Sequence, residues 1–303
     1  MAGRPLPFGG LEGAGPNAHP EVVLQNSGSH DIGPKSWLRF TLAAVSGALL
    51  LSACGSTSSG PTPSTAECLQ AAGNSAVTFV ADDGYQQDWT ILRPIFKEAG
   101  VPFVSAVITN SIGHASNTSL DQIKQLAADG DEIVSHTVTH PDLNTLNDAM
   151  LDAELKDSQA ALAAAGLPTN HVVYPMGDTS ERVEQAASKY YQLGVGVGNG
   201  LNDPKALERY DLHRVALGSY FDVIPSSPPH PPTNTLAYYK ARIDEAVQTH
   251  QWLIFMLHSA GPGFDEAQVE ALKDTVAYAK TQNTNVTTLS GGYAVAQKLA
   301  ACK

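Results

Sequence analysis

From Ala76 onward, short apolar runs alternate with amphipathic stretches of roughly ten residues or more. A strand that is apolar on both faces needs cover on both faces, and an intervening helix supplies it while returning the chain for parallel pairing. The alternation therefore points to repeated βα units around a parallel sheet. Strands are expected at Ala76–Ala81, Phe103–Ile108, Glu132–Ser135, Val172–Tyr174, Gln192–Val197, Arg214–Leu217, Leu253–Leu257 and Val286–Leu289. Helices are expected at Asp88–Ala99, Asn147–Ala165, Ser180–Tyr191, Leu236–His250 and Asp265–Thr281, where apolar residues recur with a 3.6-residue period. A further helix lies in "SLDQIKQLAADG", which opens on a serine cap and closes at Gly130.

Seven or eight such units without an interior linker favour one closed or nearly closed (β/α) barrel over two domains; an open doubly wound sheet is the alternative. A hydrophobic content of 43% over 303 residues is enough for one large core. In a barrel, chemistry belongs at the C-terminal ends of the strands.

Three polar clusters fall there. "ADDGY" places Asp82 and Asp83 directly after the first strand, although Asp-Gly is also a common turn dipeptide. "SHTVTHP" follows the third strand with His136 and His140 four apart; one helical turn would bring both imidazoles to one face, where they can share a metal. Pro141 limits such a turn and biases His140 towards an extended backbone. "WLIFMLHS" drives a buried strand into His258. Each cluster alone has an ordinary structural explanation, but three at the ends of three βα units are hard to attribute to chance.

The order DDG, HxxxH, "YPMG" and "LHS" resembles the polysaccharide deacetylases of the NodB-homology group, carbohydrate esterase family four, over about Ala76 to Leu289. The resemblance implies a distorted (β/α) barrel and a metal-dependent hydrolase that removes acetyl groups from an acetylated polysaccharide or oligosaccharide. It also implies a divalent metal, zinc first, held by Asp83, His136 and His140. Asp82 would be general base and His258 general acid, and the backbone N–H of Met176 would face the oxyanion. Two neighbouring carboxylates agree with this, since a nearby cation relieves their repulsion.

Two departures stand out. Ala81 occupies the place of an aromatic in the first motif, and Val173 that of the arginine that partners the base. Arg214 is a candidate substitute, and Asp211 and Asp222 are candidates for tuning the catalytic histidine. Tyr85, Trp89, Tyr220 and Phe221 are candidates for stacking on sugar rings. The proline-dense "IPSSPPHPPTN" could wall a groove.

Lys35 and Arg39 precede the apolar run Phe40–Leu51, which is short for a bilayer span and ends in "LSACGS". This pattern resembles a lipoprotein signal over 35–54, with Cys54 as the lipid attachment site. Residues 1–34, without periodicity, read as disordered or as upstream of the true start. Residues 55–67 have the composition of a flexible tether, leaving 68–303 as the catalytic domain. The remaining pair, Cys68 and Cys302, suggests a disulfide in an exported protein, with two free thiols as the alternative.

A net charge of -12 argues against nucleic acid as a partner and suits a neutral glycan. The expectation is an exported, lipid-anchored monomer whose only membrane contact is its lipid. N-acetylglucosamine polymers are the first-choice substrate. The alternatives are an O-acetyl esterase, a sugar-binding envelope protein of the same fold, and a two-histidine-one-carboxylate iron oxygenase.

Overall fold

The computed structural model describes residues 64–218, 234–261 and 263–302. The leader, Cys54, most of the tether, Tyr220, Phe221, Asp222 and nearly all of the proline-dense segment lie outside them. The strands are β1 (Ala76–Ala81), β2 (Val104–Val107), β3 (Glu132–Ser135), β4 (His171–Val173), β5 (Leu193–Val195), β6 (Val215–Ala216), β7 (Trp252–Leu257) and β8 (Asn285–Val286). All named pairings are parallel, in the order β5-β4-β3-β2-β1-β7-β6, with β8 beside the first two residues of β1. The sheet curls until its ends meet. Leu212 bridges to Val195 of β5, and three residues later Val215 pairs with Phe255 of β7.

Alternation along β1 sorts its side chains into two layers. Val77, Phe79 and Ala81 pack with Leu92, Phe96, Ile123 and other helix residues, and Phe79 contacts the rings of Phe96 and Phe255 at centroid distances of 5.4 and 5.2 Å. Ala76 and Val80 belong to a second cluster with Val104, Val134, Val195 and Ile254 from other strands. Burial of both faces explains why β1 reads as an unbroken apolar run. Each large side chain removed from water this way contributes about 1.5–3 kcal/mol.

The helices are α1 (Thr65–Ala72), α2 (Arg93–Ala99), α3 (Leu120–Asp129), α4 (Asp148–Ala164), α5 (Glu181–Ala187), α6 (Leu236–Thr249), α7 (Glu266–Thr281) and α8 (Leu289–Ala301). Local chemistry sets several ends: Ser119 and Gln122 form a capping box on α3, and Gly130 closes it at φ 104°. Asn147, Thr235 and Asp265 cap α4, α6 and α7.

Several strands are a residue or two shorter or shifted relative to the sequence expectation, and α5 stops at Ala187 rather than Tyr191; three further differences change the elements themselves. The final strand is only Asn285–Val286, and Leu289 opens α8 because the Thr288 side chain accepts from the Gly291 N–H. The glycine pair in "LSGGY" dilutes helix propensity and hides that helix. At the other end, α1 starts at Thr65, within the stretch read as tether, on a Ser64–Glu67 capping box. The expected Asp88–Ala99 helix is split, its first five residues forming a π-type turn before α2. Cys68 on α1 and Cys302 at the end of α8 are joined as a disulfide, their Cα atoms 5.7 Å apart.

Candidate active site

The two aspartates after β1 are separated by a change of backbone hand. The Asp82 N–H continues the ladder, donating to the Leu257 carbonyl at 2.9 Å. Asp83 and Gly84 then turn left-handed, at φ 73° and 61°. Asn117 Nδ2 donates to the Asp83 carbonyl and the Thr118 hydroxyl to that of Gly84, which holds the turn. Val107 lies so close to Gly84 that a Cβ there would sit 3.0 Å from its side chain, so both space and φ favour glycine. The neighbouring carboxylates therefore point to different partners.

Asp82 is buried against Arg214, also buried, whose Nη1 lies 2.8 and 2.9 Å from its two oxygens. The Arg214 Nε donates to the Gly196 carbonyl at 2.6 Å, which sets the guanidinium's direction. Val173, standing at the arginine's place in the motif, uses its carbonyl instead to take a hydrogen bond from His136 Nδ1 at 2.8 Å. That bond puts the proton on Nδ1 and leaves the Nε2 lone pair free.

Asp83 Oδ1 lies 3.5 Å from His136 Nε2 and 3.4 Å from His140 Nε2. Donor atoms of these three residues all fall within 4.8 Å of one another. Tetrahedral zinc with bonds near 2.0–2.1 Å would separate its ligands by about 3.3 Å, so the set fits such a cation. His258 Nε2 stands 3.8 Å from the other oxygen, Oδ2. Without a metal, burial pushes the Asp83 carboxyl up, but protonated His136, donating from Nε2, and the charges of protonated His258 and His140 outweigh it and lower the carboxyl to about 2. Burial, then His136, pulls His140 below the usual histidine range.

The histidines do not meet on a helical turn. Thr137 and His140 both have positive φ, 65° and 61°, so the segment is an irregular loop and His140 is left-handed rather than extended before Pro141. The loop is held from α4: Glu154 Oε2 accepts from the N–H groups of Val138 and Thr139 at 2.8 and 2.9 Å, and Oε1 from the Thr139 hydroxyl at 2.6 Å. Glu154 was invisible in sequence because an acidic residue on an amphipathic helix looks like solvent surface.

Met176 has φ 61° and is 62% exposed at the mouth of a cleft of about 420 Å³. The cleft is also lined by Asp82, Asp83, Tyr85, Arg214 and His258. Gly177, at φ 75°, has no room for a Cβ beside Val197. Four site residues, Asp83, Thr137, His140 and Met176, thus share an uncommon backbone region; strain of this kind persists where surrounding contacts enforce it.

Two expected members lie elsewhere. Asp211 lines a separate pocket with Glu208 and His213, its carboxylate against Gly196. The Trp89 ring is covered by the Arg93 guanidinium, 4.3 Å from its centroid, and packs against the helical core.

The family model described as polysaccharide deacetylase matches residues 70–193, which hold the DDG, HxxxH and "YPMG" motifs. "Putative polysaccharide deacetylase YxkH" of Bacillus subtilis is 34% identical over 145 residues, covering 46% of this chain and 50% of that protein. A gellan lyase from a Bacillus species is 35% identical over 131 residues, 43% of this chain and 5% of the lyase. The chain thus spans about half or less of these curated relatives. Among solved structures, a family 4 carbohydrate esterase from Streptomyces lividans in complex with acetate superposes with a TM-score of 0.50 at 14% identity, covering 70% of this chain and 92% of the other. The T48 deacetylase with substrate superposes with a TM-score of 0.50 at 18% identity over 73% and 91%. These likenesses show the fold, a curled (β/α) barrel of the NodB type.

Proposed function

We propose that this chain is a metal-dependent deacetylase of an extracellular or cell-envelope polysaccharide, with N-acetylglucosamine polymers as first-choice substrate. The observation that carries the proposal is the convergence of Asp83, His136 and His140 within 4.8 Å, beside an Asp82 with its own cationic partner. A divalent cation held there, zinc first, supplies Lewis-acid chemistry that acidifies water and polarises the acetyl oxygen.

The residues of the chain do the rest. Asp82, oriented by Arg214, accepts the proton of the attacking water as its oxygen bonds to the acetyl carbon. The Met176 N–H faces the acyl oxygen as negative charge develops on it. His258, across Asp83 from the other two histidines, donates a proton to the departing nitrogen as the carbon–nitrogen bond breaks. One acetamide and one water thus become one acetate and one amine. Arg214 supplies the charge that Val173 cannot, which favours turnover over a sugar-binding role. The lipid at Cys54 and export remain part of the proposal, supported by the basic and apolar leader ending in "LSACGS".

The test is acetate release from chitooligosaccharides by the purified chain with added zinc, against Asp82→Asn. Turnover should vanish in the variant while zinc still binds. Undiminished release by the variant would eliminate Asp82 as base, and no release from any acetylated glycan would leave the sugar-binding reading.

A further inference from the structure

Beneath the cleft lies an acid for which the proposed reaction has no use. Asp88, five residues beyond Asp83, is completely buried. Its carboxylate accepts from the Ser259 hydroxyl at Oδ1, 2.6 Å, and from the Ser105 hydroxyl at Oδ2, 2.7 Å. Both serines are buried as well. Its surroundings are costly for an acid: burial raises it to about 7 although both hydroxyls pull it down, and Asp82 and Asp83 push it further up. A buried polar side chain retained at such cost calls for a role that a packed apolar residue would not fill.

Its partners indicate the role. Ser105 belongs to β2, whose register sets it beside Ala81, the residue before the aspartate pair. Ser259 follows His258, in the turn that leaves β7 at Leu257. That turn has no regular structure of its own, so the direction in which His258 projects depends on what anchors it.

We infer that Asp88 is a positioning residue for His258, its carboxylate clamping Ser259 to the β2 face of the site so that the imidazole is held towards Asp83. This rests on the reading of His258 as general acid. The residue supplies the anchoring that the sequence motifs left unassigned. Displacing a catalytic group by about 1 Å can cost about 10²-fold in rate, so Asp88→Ala should lower kcat by that order with KM within about twofold.

A double-mutant cycle on the full chain separates positioning from general structural damage. Chitooligosaccharide deacetylation and zinc stoichiometry are measured for Asp88→Ala, His258→Ala and the pair. The expected result is that Asp88→Ala costs little once His258 is gone, with zinc stoichiometry unchanged throughout. Losses that multiply, or an Asp88→Ala enzyme with wild-type kcat, would overturn the inference. A fully active His258→Ala enzyme would instead remove the acid assignment itself, a failure visible before Asp88 is touched. If Asp88→Ala does not yield folded protein, Ser259→Ala, which deletes the link without altering charge, takes its place in the same cycle and is read by the same criteria.

Discussion

Replacing Arg214 by methionine would leave the Asp82 carboxylate in the interior with no cation. The pair is almost completely dry: Arg214 is 1% and Asp82 3% exposed, with Nη1 within 2.9 Å of both carboxylate oxygens. Removing one partner of a buried ion pair costs about 3–5 kcal/mol, because the surviving charge keeps its desolvation penalty and loses its compensation. Methionine fills much of the volume of the arginine stem, so the cavity contribution is small, though the Gly196 carbonyl also loses its donor. At about 2–4 °C per kcal/mol for a domain of this size, Tm should fall by roughly 6–20 °C. Denaturant unfolding of Arg214→Met, Asp82→Asn and the double variant is the appropriate assay. The double variant, with neither charge buried, should be more stable than Arg214→Met alone. A loss under about 1 kcal/mol in Arg214→Met, or a double variant no more stable than it, would refute the view that these charges compensate each other. Acetate release should be lost in Arg214→Met whatever its stability, since nothing then orients the proposed base.

Two further outcomes concern stability. Reducing the Cys68–Cys302 bridge frees a loop of 234 residues, and the chain-entropy treatment gives a loss of about 5 kcal/mol; Tm with and without reductant measures it, and an unchanged Tm would show that α1 and α8 hold each other without the bridge. Asp88 should make the metal-free protein less stable as pH rises. Burial raises its folded pKa from 3.8 to about 7, so its contribution is full below about pH 4 and is lost as pH rises through 7. Urea midpoints across that range should fall with pH in the wild type and fall less in Asp88→Asn; parallel slopes would refute the assignment.

Much of the barrel was legible because burial of both faces writes itself into composition. β1 and β3 lie where the apolar runs ended, and caps such as Ser119 and Gly130 marked helix limits through their own backbone chemistry. The last strand differs from its expected range because β8 has two residues, too few for a period to register, and its successor helix carries two glycines. The residue types of the site were equally legible, since DDG, HxxxH and LHS each cluster within a few positions.

Neighbours along the chain thus dictate the parallel βα order, several caps and the types of side chain at the strand ends. Tertiary structure decided which donors face one another. Glu154 reaches back from α4 to shape the histidine loop, and Arg214, just before β6 and two strands from β1, reaches Asp82, 132 positions earlier. Asp88 meets Ser259 across 171 positions. Such pairings leave no periodic trace, because a charge bound for the interior and one bound for solvent are spelled with the same letter until the sheet curls and selects between them.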